Sequence, residues 1–139
     1  MDIKEILKTD NSKLNFMKGL IRLSKIDGNV SDEEKLFFTQ AAMQLKMTNE
    51  SISLLENYWY TTDKIEVFFK TKMESLFFIR EAIQLCAVDG SYDDNEKKEI
   101  RVLGKELKLL DTSIDEIENW VEDGLKWQAL GDRMITIEK

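Results

Sequence analysis

The fold is decided by the segment IRLSKIDGNVSDEEK at residues 21–35, because the same design returns as IQLCAVDGSYDDNEK at residues 83–97. Residues 20–59 align with residues 82–121 without a gap and give 13 identities in 40 positions. Unrelated sequences of average composition would give roughly 2 or 3. The sequence therefore predicts two copies of one supersecondary unit that stack to share a core.

The composition predicts a single all-α domain over residues 1–139. The chain has no Pro and only 6 Gly, so the residues that interrupt helices are nearly absent. Its 42% hydrophobic and 34% charged residues are typical of a folded protein with its own core. We expect about seven helices, and strand propensity appears only at residues 134–137.

Capping signals indicate where the helices begin. Ser31, Thr48, Thr71 and Asp93 each precede a helical pattern, and a Glu follows three residues later in every case except Thr48. After Ser31, one broad apolar face is expected from Leu36, Phe37, Phe38, Ala41, Ala42 and Leu45.

Each copy is predicted to fold as helix, Asp-Gly loop, helix, turn and helix. Neither three-helix unit could bury its apolar face alone, so the two should pack around a pseudo-twofold axis. A short helix is expected over residues 62–69, and Gly124 is expected to break the last helix. The predicted parts are repeat 1 at about 12–59, a linker at 60–71, repeat 2 at about 72–121 and a C-terminal extension at 122–139.

The charge and the missing residue types exclude several functions. A net charge of −7 argues against nucleic acid, which requires clustered Lys and Arg. With no His, a His-based triad or a His-containing zinc site is impossible. One Cys and no signal-peptide pattern favour the cytoplasm, and no apolar run is long enough to span a bilayer. We expect a non-enzymatic protein that has a protein partner.

The repeated Asp-Gly loop has a purely structural interpretation. Gly28 and Gly90 lie where a helix ends, and Gly favours the left-handed conformation found there. Ser31 and Asp93 would then cap the following helices, with the glutamates at 34 and 96 completing the capping boxes. On this interpretation the loop only stops one helix and starts the next.

Asp27 and Asp89 fit that interpretation poorly, because a carboxylate in the last turn of a helix is unfavourable by about 0.3–1 kcal/mol. Loops brought together by a pseudo-twofold axis could instead supply hard oxygen ligands to Mg²⁺, Ca²⁺ or Mn²⁺. The predicted ligands are Asp27, Glu34, Asp89 and Glu96, with Asp32, Asp93 and Asp94 as additional candidates.

The loop is not a calcium EF-hand. If Gly28 or Gly90 takes position six of such a loop, positions one and three must be oxygen ligands. Those positions are Leu23 and Lys25 in the first copy, and Leu85 and Ala87 in the second.

The pattern Leu-x-x-x-Asp-Gly-x-x-[Ser/Asp]-x-x-Glu, present at residues 23–34 and 85–96, resembles the tellurite-resistance TerB-like domain family. This family is related to the N-terminal domain of DjlA-type co-chaperones. The resemblance covers about residues 12–121 and implies an all-helical, internally duplicated bacterial domain. It also implies divalent metal bound by Asp27, Glu34, Asp89 and Glu96, and a role in stress, tellurite resistance or phage defence.

Two functions therefore remain open. One is a metal-binding TerB-like module, and the other is a metal-free protein-interaction adaptor whose loop acids are only helix caps. The adaptor would bind its partner in a groove between the repeats. Trp59 and Tyr60 would form a partner-binding patch if both proved exposed.

Overall fold

The computed structural model describes residues 2–26, 28–88 and 92–138, and over this part of the chain the protein is all-α. Seven helices and no strand occur among these residues, which confirms the predicted class. The helices are α1 Ile3–Ile6, α2 Asp10–Ser24, α3 Asp32–Gln44, α4 Asn49–Tyr60, α5 Lys72–Ala87, α6 Asp94–Glu106 and α7 Asp111–Met134.

The predicted helix starts are confirmed at four caps. Ser31, Thr48, Thr71 and Asp93 each accept a hydrogen bond from the backbone N–H three residues on. Reciprocal capping boxes form at Thr71 and Asp93, where the following glutamate accepts from the cap N–H. Gly28 has φ of +74°, the left-handed conformation that the loop was expected to require.

Two local predictions are wrong. Residues 62–69 form no helix. The alternate side chains Ile65, Val67 and Phe69 are buried, which is the pattern of an extended segment packed on the helices. Gly124 does not break α7, since the helix continues through it to Met134. Every described residue after Val121 is exposed, so burial contributes little to the stability of this part of the helix.

The centre of the fold is the contact between α2 and α5. Phe16 and Phe78, which lie 62 residues apart in the sequence, pack edge to face with ring centroids 6.0 Å apart. Gly19 lies directly against the Phe78 ring, which is fully buried. Around this pair, α4 packs on α2 and α7 packs on α5.

The second half of the chain repeats the helix boundaries of the first. Helices α5, α6 and α7 begin 62 residues after α2, α3 and α4 respectively. Lys46 and Lys108, also 62 residues apart, are the two non-glycine residues with positive φ in the described part of the chain, at 58° and 60°. Each ends its helix with the same pair of backbone hydrogen bonds.

None of the helices in the described ranges combines the length and apolar character that crossing a bilayer requires.

Gly19→Ala should lower the free energy of unfolding by about 1–3 kcal/mol, because the added methyl group would overlap the immobile Phe78 ring. Gly124→Ala is the matched control, since a methyl group there meets open space inside a helix. It should raise stability by about 0.5–1 kcal/mol. Urea unfolding measures both, and equal effects would contradict the close α2–α5 approach.

Candidate functional site

An acidic cleft of about 650 Å³ lies where α3 and α6 begin. It brings together residues of both repeats, including three of the predicted metal ligands, Glu34, Asp93 and Glu96. Glu33 adds a fourth carboxylate, and Leu23, Phe37, Phe38 and Leu85 contribute apolar side chains. No Lys or Arg occurs among the described residues that line this cleft.

Some carboxylate oxygens of the cleft cap the helices that begin there. Asp93 Oδ1 accepts from the Glu96 N–H at 2.8 Å, and Glu96 Oε1 accepts from the Asp93 N–H at 3.1 Å. Ser31 accepts from the Glu34 N–H, but its hydroxyl rather than its backbone N–H lies within reach of the Glu34 carboxylate. The capping interpretation of these acids is therefore supported. The second carboxylate oxygen of Asp93 and of Glu96 takes no part in these caps.

The remaining predicted ligands are not gathered in the cleft. Asp32 and Asp94 are exposed and do not line it. Asp27 and Asp89 lie outside the described residues, so the four-acid metal site stays a prediction. Within the described ranges, no group of three or more acidic, Cys or His side chains has the spacing to hold a metal ion.

The aromatic patch required both Trp59 and Tyr60 to be exposed, and this condition is not met. Tyr60 is 74% exposed, but Trp59 is only 9% exposed because it packs on Phe38 with ring centroids 5.3 Å apart. The exposed Tyr60 ring instead carries the Lys35 ammonium over its face.

An apolar groove of about 700 Å³ adjoins the acidic cleft. It runs between α3 and α5 and shares Phe37, Phe38 and Leu85 with the cleft. Phe37 is 59% exposed and Val88 is 70% exposed, although both are large apolar side chains. The prediction that Phe37 belongs to a buried face is therefore wrong, because no helix of the described chain covers this side of α3.

A second joint, meaning a place where two helices from different repeats adjoin, lies between α2 and α6. These helices begin 62 residues before α5 and 62 residues after α3, and their joint is closed. There α2 packs on α6, and Arg22 donates to Glu99 at 2.6 Å, to Glu106 at 2.7 Å and to the Ile65 carbonyl at 3.1 Å. Leu103 is fully buried beneath these groups. Two carboxylates, a backbone carbonyl and a guanidinium thus seal the joint.

The positions that seal this joint differ in the other repeat. At an offset of 62 residues, the counterparts are Gln84 for Arg22, Phe37 for Glu99, Gln44 for Glu106 and Ala41 for Leu103. All four counterparts line the groove. The ion pairs and the large side chain that close one joint are thus missing from the other, and α3 and α5 make no close backbone contact in the described chain.

The sequence analysis expected a groove between the repeats but did not place it, although a signal for its position was present. Periodicity assigned Leu36 and Phe37 to one apolar face, but both are more than half exposed. The signal was the aligned pair Phe37 and Glu99, where an apolar residue replaces an acid at the same position of the repeat. Such a mismatch marks a surface on which the two copies differ.

Comparison of the chain with models of protein families, with curated proteins and with solved structures finds no match.

The closed joint predicts a dependence of stability on acid pH. The hydrogen bond from Arg22 lowers the pKa of Glu106 and outweighs the opposing effect of burial. A carboxyl group whose pKa is lower in the folded state stabilises the fold above its unfolded pKa, and this stabilisation is lost as pH falls through the folded value.

Glu106→Gln should therefore lower the free energy of unfolding by roughly 1–3 kcal/mol at pH 7. The loss should shrink as pH falls below about 4. Urea unfolding across pH measures it, and Glu116→Gln on the exposed side of α7 controls for net charge. Parallel profiles for the native chain and Glu106→Gln would contradict the prediction.

Proposed function

We propose that this chain is a non-enzymatic protein-interaction module and that the α3–α5 groove is its binding surface. The observation that carries the proposal is the open groove itself, since its counterpart between α2 and α6 is sealed. Exposed contiguous apolar surface on a folded domain marks an interaction site when it forms a concave groove. A helical or extended segment of a partner is the occupant that such a groove fits.

We also propose that the two repeats within the chain are related by a pseudo-twofold axis through the α2–α5 contact. Three observations support this arrangement: the equal offset of the helix starts, the matching positive φ of Lys46 and Lys108, and the contact between Phe16 and Phe78. If the two copies are related in this way, the groove is the unsealed version of the α2–α6 joint. An incoming side chain would then take the place that the sealing residues take in the other joint.

The resemblance to TerB-like domains indicates where to look for the partner. It favours a cytoplasmic protein of a bacterial stress, tellurite-resistance or phage-defence pathway. The single Cys and the absence of His are in keeping with a module that binds rather than catalyses.

A displayed library of random peptides tests the groove directly. Selection on the native chain should yield peptides whose affinity falls at least about tenfold in Phe37→Gln, because the substitution removes an apolar anchor at the centre of the groove. Phe68→Gln is the matched control: Phe68 is 63% exposed, close to the 59% of Phe37, and lies outside the groove. Affinity is measured by fluorescence anisotropy of the labelled peptides.

Thermal unfolding should show that both variants remain folded, since neither side chain is buried. A selection that yields no peptide, or only peptides that Phe37→Gln and Phe68→Gln affect equally, contradicts the proposed binding surface.

A second candidate function is binding of a divalent cation in the acidic cleft. The observation in its favour is that Glu34 and Glu96, at the same position of the two repeats, line one cleft together with Asp93. Their carboxylate oxygens are of the kind that Mg²⁺, Ca²⁺ and Mn²⁺ prefer. Asp27 and Asp89 would complete the ligand set.

Calorimetric titration with Mg²⁺, Ca²⁺ and Mn²⁺ tests this second candidate. Binding heat is expected for the native chain and should be lost in Asp27→Asn/Asp89→Asn, because two of four charged ligands are removed. Glu56→Gln/Glu116→Gln is the charge-matched control, since it removes two exposed acids that are not candidate ligands and lie outside the cleft. Absent heat, or equal heat for the native chain and both variants, excludes the loop-metal site.

A further inference from the structure

We propose that the occupant of the α3–α5 groove is a partner segment that carries Lys or Arg beside its apolar side chains. This inference rests on the proposed function and adds the chemistry of the partner to it. The basic residues would lie in the acidic cleft while the apolar residues fill the groove.

The position of the cleft relative to the groove supports this arrangement. Both are lined by Phe37, Phe38 and Leu85, so one bound segment can reach the two together. Glu33 and Glu34 precede Phe37 by about one turn of α3, which places the carboxylates at one end of the groove. Among the described residues, the groove itself is lined by one residue of each charge, Lys4 and Glu81.

Within the described residues, the carboxylates of the cleft have no ion-pair partner, whereas two other acidic clusters, at the α2–α6 joint and between α6 and α7, each have one or two. Arg22 and Lys64 serve Glu99 and Glu106, and Arg101 contacts Asp111, Asp115 and Glu118 within 4 Å. By contrast, none of the four cleft acids forms an ion pair with a Lys or Arg of the described residues. They are Glu33, Glu34, Asp93 and Glu96.

Helix capping explains only part of this acidity. Asp93 and Glu96 each use one oxygen to cap α6. Glu33 forms no cap and is exposed at the mouth of the cleft. The first turn of a helix favours a carboxylate through the helix dipole, which accounts for acids at these positions but leaves their remaining oxygens available to a cationic side chain.

The charge also argues against a second copy of this chain as the occupant. Each chain carries a net charge of −7, so two copies would bring like charges together at an already acidic surface. A segment with Lys or Arg instead offers opposite charge, which speeds association and fixes the direction in which the segment lies.

The peptides that lose affinity in Phe37→Gln provide the test. Among them, Lys and Arg should outnumber Asp and Glu relative to the unselected library. A synthetic peptide of the consensus should bind about tenfold more weakly when three cleft carboxylates are neutralised, since each exposed pair contributes modestly. The test variant is Glu33→Gln/Glu34→Gln/Glu96→Gln, in which glutamine preserves the capping box.

The matched control removes the same charge from exposed glutamates outside both cavities, in Glu56→Gln/Glu66→Gln/Glu116→Gln. Its affinity for the consensus peptide should stay within about twofold of the native value, because distant surface charges are screened. Raised salt should weaken binding to the native chain more than binding to the cleft variant.

The outcomes separate this inference from the proposed function. Groove-dependent peptides without an excess of Lys and Arg, or with equal affinity for the two triple variants, overturn the inference and leave the groove proposal standing. No groove-dependent peptide at all overturns both. A native dimer in sedimentation analysis that Phe37→Gln dissociates would assign the groove to a second copy and overturn the inference.

Discussion

The close contact between α2 and α5 is the constraint on which the rest of the structure depends. Gly19 allows the fully buried Phe78 ring to lie against the α2 backbone, and Phe16 packs on the same ring from the next turn. The first half of the chain supplies α1 to α4 and the second supplies α5 to α7, so the contact between α2 and α5 joins the two halves in one core. The outer helices α4 and α7 take their positions from this central pair, because each packs on one member of it.

The two joints beside the central pair show how similar segments acquire different roles. Arg22 reaches three acceptors in the α2–α6 joint, and its guanidinium keeps its charge because the hydrogen bonds offset the cost of burial. Burial by itself lowers the pKa of Arg22, but the hydrogen bonds to Glu106 and Glu99 raise it by more, so the pKa lies above its usual value. At Gln84 no comparable charge is available, and the α3–α5 joint stays open as an apolar groove.

The acids of the repeated loop combine a structural task with surface charge. Asp93 and Glu96 satisfy N–H groups that a helix start leaves unpaired, so the fold alone accounts for one oxygen of each. Placing two such starts at one cleft concentrates negative charge beside the apolar groove. The same residues therefore stabilise the helix starts and set the charge of this surface.

Local structure could be predicted wherever a signal is local. The caps at Ser31, Thr48 and Asp93 depend on bonds within one turn, so residue type and spacing were sufficient. The segment at residues 62–69 failed for the opposite reason: Ile65 and its neighbours are held extended by burial across α2, and long-range packing outweighs helix propensity. The sequence left the exposure of Trp59 open for the same reason, since Trp59 is buried by a tertiary contact with Phe38.

The sequence by itself determined the all-α class, the helix starts and the gathering of acids in two equivalent loops, because propensity, capping and periodicity act over a few residues. Only the tertiary structure decided that Arg22 seals one joint while Phe37 leaves the other open. Whether a joint closes depends on atoms far apart in the chain, as between Arg22 and Glu106. A repeat in sequence specifies corresponding helix starts, and the differences between its copies specify which joint stays open.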